Sequence, residues 1–201
     1  MLGHHLVVAG DLEAPVVVAL PRGGVPVGAE LARLLSAPLV VMPVAKIGAP
    51  GHEELALGAV APGGVTVLND EVLAALGLTE GEVEALAARA AAKVVQQLQS
   101  YHHGRPPPSL EGRSAVVVDD GLATGATMKA ALLAVRQLRP RRVVLAVPVA
   151  PPAALAALAP LVDVCVCPLQ PVRMLAVGSW YGDFGQTTDA EVVELLSELS
   201  G

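Results

Sequence analysis

The sequence predicts an α/β protein, a Rossmann-like parallel sheet flanked by helices, and three observations carry that expectation. Short apolar runs at 16–20, 39–44, 115–118, 143–147 and 162–166 read as strands buried on both faces. Between them, 26–35, 127–138 and Pro152–Leu158 read as helices. Alternation of this kind implies βαβ units with right-handed crossovers and a parallel sheet.

The length of 201 residues suits one elaborated domain, 1–201, with a core at about 14–68 and 112–167, a helical insertion at about 69–111 and a C-terminal tail at 168–201. Hydrophobic residues make up 53% and charged residues 16%, the balance of a folded globular chain. The formal net charge of -6 provides no global positive field, so no nucleic-acid partner is expected and any phosphate must be captured locally.

The opening Met1-Leu2-Gly3-His4-His5 lacks the basic and apolar blocks of a secretory signal, and a cytoplasmic protein is expected. Residues 143–162 are uncharged and of spanning length, but Pro148, Pro151, Pro152 and Pro160 interrupt them, so no membrane span is expected. Cys165 and Cys167 alternate with valines and lack CxxC spacing, which reads as small buried residues rather than a zinc site. The adjacent pairs His4-His5 and His102-His103 read as surface residues, since neighbours point apart and chelate poorly.

Taken in order, the first strand runs into Pro21-Arg22-Gly23-Gly24, a turn before the helix at 26–35. The second strand leads to a loop forced by Gly48, Pro50 and Gly51. Residues 55–60 and Val65–Leu68, separated by Ala61-Pro62-Gly63-Gly64, read as a hairpin. Thr79 and Glu82 form a capping-box pattern, behind which Val83, Leu86, Ala87, Ala90, Val94, Leu98 and Tyr101 share one face of a helix over about 80–101. A proline-rich connector at 102–110 returns the chain to the sheet. After 168 comes an irregular stretch, then Thr188 and Glu191 cap a terminal helix to about 199.

The chemistry concentrates at 116–127, where an apolar strand ends in Asp119-Asp120 and a small-residue loop opens a helix. Such a loop lies beyond the carboxyl end of a strand, where ligands of parallel sheets bind. Its amides and helix N-terminus suit a phosphate, with Gly121 and Gly125 allowing close approach and Thr124 and Thr127 adding hydroxyls. The lysine of a nucleotide-triphosphate P-loop is absent. A carboxylate can grip adjacent sugar hydroxyls and favour positive charge developing on the sugar, so the two acids complete a site for a phosphorylated ribose.

This segment resembles the ribose-phosphate signature of the type I phosphoribosyltransferases: apolar strand, two acids, then Gly-x-x-Thr-Gly-x-Thr. Nearly the whole chain is similar to bacterial members of unassigned substrate through ALPRGGVPVGAE at 19–30, KIGAPGHEELALGAV at 46–60 and WYGDFGQTTD at 180–189. The resemblance implies the family fold with a smaller hood, and transfer of a phosphoribosyl group between phosphoribosyl pyrophosphate and a nitrogen acceptor, a nucleobase-like heterocycle, with pyrophosphate released. The alternative is a non-catalytic sensor of the same ligand. Asp119 and Asp120 are then implied to hold the ribose, and Gly121, Ala123, Thr124, Gly125, Ala126 and Thr127 the 5′-phosphate.

Mg²⁺ is the implied cofactor, held mostly by substrate oxygens and water, with Asp119 and Asp120 reaching it through water. A homodimer is implied as well. Arg22, Gly23 and Gly24 resemble the pyrophosphate loop, as an amide nest or merely as a tight turn. Lys46, the third candidate catalytic residue, is chosen for a pyrophosphate contact and lies with His52, Glu53 and Glu54 on a segment that reads either as a lid or as an ordinary surface loop. Trp180, Tyr181 and Phe184 could stack on the acceptor, with Asp183 reading a ring N–H, or could pin the tail to the core.

Two departures stand out: Ala45 precedes Lys46 where those relatives tend to carry arginine, and only 15 residues precede the first strand, which could leave sheet surface uncovered. Ala123 occupies a position where some members place an acid, so any general base must come from elsewhere.

Overall fold

The computed structural model describes residues 2–8, 12–102 and 107–199. The chain opens with α1 (Leu2–Val8), β1 (Val16–Ala19), α2 (Gly24–Leu35) and β2 (Leu39–Val41). Then come β3 (Ala45–Ala49), β4 (His52–Ala61), β5 (Val65–Leu68), α3 (Asp70–Leu76) and α4 (Glu80–His102). The second half comprises β6 (Ser114–Val118), α5 (Ala126–Gln137), β7 (Arg142–Ala146), α6 (Pro152–Leu158), β8 (Val164–Val166) and α7 (Asp189–Leu199).

Five parallel strands form the central sheet in the order β2-β1-β6-β7-β8. Val17 sits opposite Leu39 on one side and Val116 on the other. Val16, Val18, Val117 and Leu145 face one way, onto Met128, Leu132 and Val135 of α5. Val17, Val116, Val118 and Val144 face the other way, onto Leu6 of α1 and Leu31 of α2. Side chains alternate between two covered faces, so the strands are apolar at every position.

α1 corrects the expectation of uncovered sheet surface, because Leu6 is fully buried and Leu2 nearly so. Cys165 corrects another: it is exposed, and Cys167 is only half-buried. Cys165 lies within the short β8 and Cys167 just after it, and β8 ends the sheet with no strand on its outer side among the described residues.

A second, antiparallel sheet runs β3-β4-β5. Its apolar face, with Ile47, Ala49, Leu57 and Val60, packs against Ala90 of α4. β5 has its expected bounds, whereas the stretch around Gly48 is strand instead of loop. Register shifts flank Gly48, so the glycine marks an irregularity that re-aims a paired strand. Both capping boxes form, Thr79 N–H donating to Glu82 Oε2 at 2.9 Å and Thr188 N–H to Glu191 Oε2 at 2.6 Å. No described helix is long and apolar enough to cross a membrane. His4 and His5 are exposed, while His103 and part of the 102–110 connector lie outside the described residues.

Candidate functional site

β1 and β6 are neighbours whose connections diverge, β1 leading outward to β2 and β6 to β7 on the opposite side. A crevice opens beyond the carboxyl ends of strands at such a switch point. The turn after β1 carries Arg22-Gly23-Gly24 and the bend after β6 carries Asp119-Asp120-Gly121, so two segments remote in sequence meet there.

Their approach is closest at the glycines. A Cβ added to Gly23 would lie 2.0 Å from Asp120 Oδ2, and one added to Gly24 would lie 2.8 Å from Asp119 Cα and 3.1 Å from Asp119 Oδ1. Only glycine leaves that space to the acids. Gly24 N–H donates to the Leu20 carbonyl at 3.1 Å and Val25 N–H to that of Arg22 at 3.1 Å. The nest reading of Arg22-Gly23-Gly24 is thereby corrected at Gly24, whose amide closes the turn. Arg22 is exposed on the turn after β1.

Asp120 N–H donates to Asp119 Oδ1 at 2.9 Å, folding one carboxylate back over the bend. Burial, and then the charge of Asp120, pushes the Asp119 carboxyl well above the usual carboxylate range. Burial also raises Asp120, against hydrogen bonds from Asp119 and the Gly121 amide that favour its ionised form. Two like charges sharing a partly dry site favour whatever brings hydrogen-bond donors or positive charge to them.

Gly125, with φ 78° and ψ 0°, is the N-cap of α5, and no side chain caps that helix. Its first-turn amides therefore lack a side-chain acceptor beside the acids. α2 also begins without a side-chain cap, but its first two amides, at Gly24 and Val25, are bonded within the turn and Pro26 has none, so the open helix N-terminus at the crevice is that of α5. Ala123 and Thr124 are exposed on the bend, with Ala126 and Thr127 half-buried. Gly121 is buried, and a Cβ there would meet Val177 Cγ1 at 2.7 Å and Val149 Cγ1 at 2.9 Å.

The tail closes the back of this bend. Tyr181 donates its hydroxyl to the Asp120 carbonyl at 2.5 Å. Burial, with the charges of Asp120 and Asp119 added, pushes that phenol up to about 12. Its ring lies 5.1 Å from that of Phe184 at 49°, and Phe184 in turn covers Gly178, where a Cβ would come within 2.6 Å of the ring. Tyr181 therefore pins the tail to the acids, whereas Trp180 and Phe184 remain 43% and 46% exposed. Asp183 is exposed.

Lys46 stands apart. It is exposed on the paired strand β3, which corrects its expected place on a loop. It lines a cavity of about 740 Å³ between β3 and α4 whose walls include none of Arg22, Asp119 and Asp120. The backbone of His52, Glu53 and Glu54 belongs to β4, and their side chains lie outside the described residues. Among the described residues no group of three or more His, Cys, Asp or Glu is arranged to hold a metal.

One pair escaped the sequence reading. Tyr101 of α4 donates to Asp189 Oδ1 of α7 at 2.5 Å. Burial and Asp189 raise that phenol, while the charge of Arg22 acts to lower it. Tyr101 does stand on the expected apolar helix face, but its partner is 88 residues away and no local signal announces it.

The phosphoribosyl transferase domain family matches residues 7–170. Two Mycobacterium tuberculosis proteins, each named "Putative phosphoribosyl transferase" (MT0597 in strain CDC 1551 / Oshkosh, Rv0571c in strain ATCC 25618 / H37Rv), are 44% identical over 184 residues, which is 92% of this chain and 42% of theirs. The chain thus spans about two fifths of the length of these curated relatives. The crystal structure of TT1426 from Thermus thermophilus superposes with a TM-score of 0.82 at 46% identity, covering 100% of this chain and 94% of that one. With the family match extending over most of its length, this chain belongs to the phosphoribosyl transferase domain family.

Proposed function

We propose that the crevice binds phosphoribosyl pyrophosphate and that the chain transfers its phosphoribosyl group to a nitrogen acceptor, a nucleobase-like heterocycle, with release of pyrophosphate. One observation carries this reading: Asp119 and Asp120 are held against Gly23 and Gly24, beside the N-terminus of α5, which no side chain caps.

In this reading the 5′-phosphate sits on the bend from Gly121 through Ala123, Thr124, Gly125, Ala126 and Thr127, where amides and hydroxyls supply donors. The ribose hydroxyls donate to Asp119 and Asp120, whose mutual repulsion and burial such donors relieve. As the bond from the anomeric carbon to the diphosphate lengthens, positive charge grows on the sugar and the two carboxylates stabilise it. Arg22 and the Gly23 amide face the departing diphosphate, with Lys46 further along its path. Trp180 and Phe184 offer partly open ring faces to a planar acceptor.

Mg²⁺ fits this donor set in one manner. Two adjacent carboxylates with no third acid, Cys or His arranged beside them among the described residues cannot complete an octahedral shell, so diphosphate and ribose oxygens and water supply most ligands. When bound, the ion neutralises charge on the leaving diphosphate.

The test is to incubate the protein with phosphoribosyl pyrophosphate, Mg²⁺ and a panel of bases while following pyrophosphate. Release with one base class supports the reading, and tight binding without release on any acceptor replaces it with a sensor.

A further inference from the structure

We propose that the groove between β3 and α4 is a second anion site that takes a diphosphate, with Arg89 and Lys93 of α4 as its ligands beside Lys46. The inference rests on the reading above in one respect only, that a diphosphate leaves the crevice next to Arg22.

The groove has the shape for it. Every residue from Val44 to Gly51 lines the 740 Å³ hollow. Successive side chains of a strand point to opposite faces, so a hollow bordered by so continuous a run lies along the strand's edge. Among the described residues β3 is an outer strand paired with β4 alone, and its free edge presents backbone N–H donors to that hollow. Across from it, Arg89, Lys93 and Gln97 follow one another at four-residue intervals on α4 and share one stripe of the helix.

The charge is one-sided. Lys46, Arg89 and Lys93 line the hollow, no carboxylate does among the described residues, and none of the three cations makes an ion pair among them. Elsewhere Arg33, Arg136, Arg139 and Arg141 are each paired with an acid. In a chain of net charge -6, three cations around one hollow that no described acid pairs call for an anion from outside. More than one cation along the groove suits two linked phosphoryl groups better than one, and arginine adds a planar fork for phosphate oxygens. No aromatic ring among the described residues lines this hollow, so nothing in it would stack on a nucleoside base.

The groove also leads somewhere. Lys93 and Gln97 border a second hollow of about 310 Å³ that continues to Tyr101 and Asp189. The Tyr101 hydroxyl lies within the field of Arg22. In this proposal a diphosphate released beside Arg22 enters the groove from its Tyr101 end.

The experiment titrates inorganic pyrophosphate into the full chain by calorimetry on an Arg22→Ala background, which removes the cation of the crevice. Adding Arg89→Ala and Lys93→Ala, both at helical positions where alanine keeps the helix, should weaken binding about tenfold or more. Ribose 5-phosphate, titrated in parallel, should bind all these variants equally. Unchanged pyrophosphate affinity after the α4 substitutions overturns the proposal, as does equal loss of both ligands. An Arg89→Gln and Lys93→Gln variant repeats the measurement if the alanine protein fails to fold. Failure of the wild type to bind ribose 5-phosphate, with pyrophosphate binding still dependent on Arg89 and Lys93, would sink the crevice reading and leave the groove standing.

Discussion

The carboxylate of Asp120 occupies the space that any side chain on Gly23 would need, since a Cβ there would fall 2.0 Å from Oδ2. Two loops from neighbouring parallel strands are thus fitted so closely that even a methyl group would not pass between them, and the identity of the residue at 23 decides where the acid points.

Gly23→Ala should therefore displace Asp120 while leaving the sheet intact. Overpacking of this kind costs about 1–3 kcal/mol, a fall of about 2–4 °C in Tm for each kcal/mol in a chain of this size. Affinity for phosphoribosyl pyrophosphate should drop by about tenfold or more. Thermal melts and calorimetric titration measure both, and an unaltered Kd would remove this contact from the site.

Replacing Asp119 and Asp120 together by Asn should abolish sugar binding and, at neutral pH, stabilise the fold. Both carboxyls are raised in the folded state, chiefly by burial. Their contribution to stability is thus fully present below the ordinary carboxylate range and is lost as pH rises through the elevated values. The Asn variant escapes that loss, so its Tm should exceed the wild type's at pH 7 and the gap should shrink on acidification. A variant melting below the wild type at pH 7 would contradict the assignment.

Tyr181→Phe removes the hydroxyl that holds the tail to the Asp120 carbonyl. The cost should be about 1 kcal/mol, read by denaturant titration. The phenol is raised to about 12, so the wild type's advantage is present below the ordinary tyrosine range and is lost as pH climbs through about 12. An advantage that persists beyond that pH would mean the hydroxyl is not the anchor.

Gly125 adopts φ 78° with its nearest outside atom, Leu158 Cδ1, 3.5 Å from an added Cβ. Conformation alone should set the cost of substitution. Gly125→Ala is expected to cost about 1 kcal/mol, and Gly125→Asn less, since asparagine visits the left-handed region more readily. Equal costs for Ala and Asn in equilibrium unfolding would point to packing instead.

Local order in the chain made much of this protein legible. Val65–Leu68 and Pro152–Leu158 have their expected bounds, and both capping boxes form, because strand and helix signals act between residues a few positions apart. The bend from Asp119 to Thr127 was legible for the same reason: strand end, acids, glycine at positive φ and helix start follow one another closely. β3 was not, since Gly48 and Pro50 signal a break that pairing with β4 overrides. Nor was the helix at Leu2–Val8, too short for a periodic pattern yet held by burial of Leu6.

By itself, then, the sequence determined the alternating strands and helices and the acid-and-glycine bend between β6 and α5. Tertiary structure alone decided that Gly23 would meet Asp120, that Tyr101 would bond Asp189, and that Lys46 would join Arg89 and Lys93 around one groove. Those meetings depend on strand order and helix packing, where residues remote in the chain become neighbours through burial shared by the whole core, and no short segment of sequence encodes that distance.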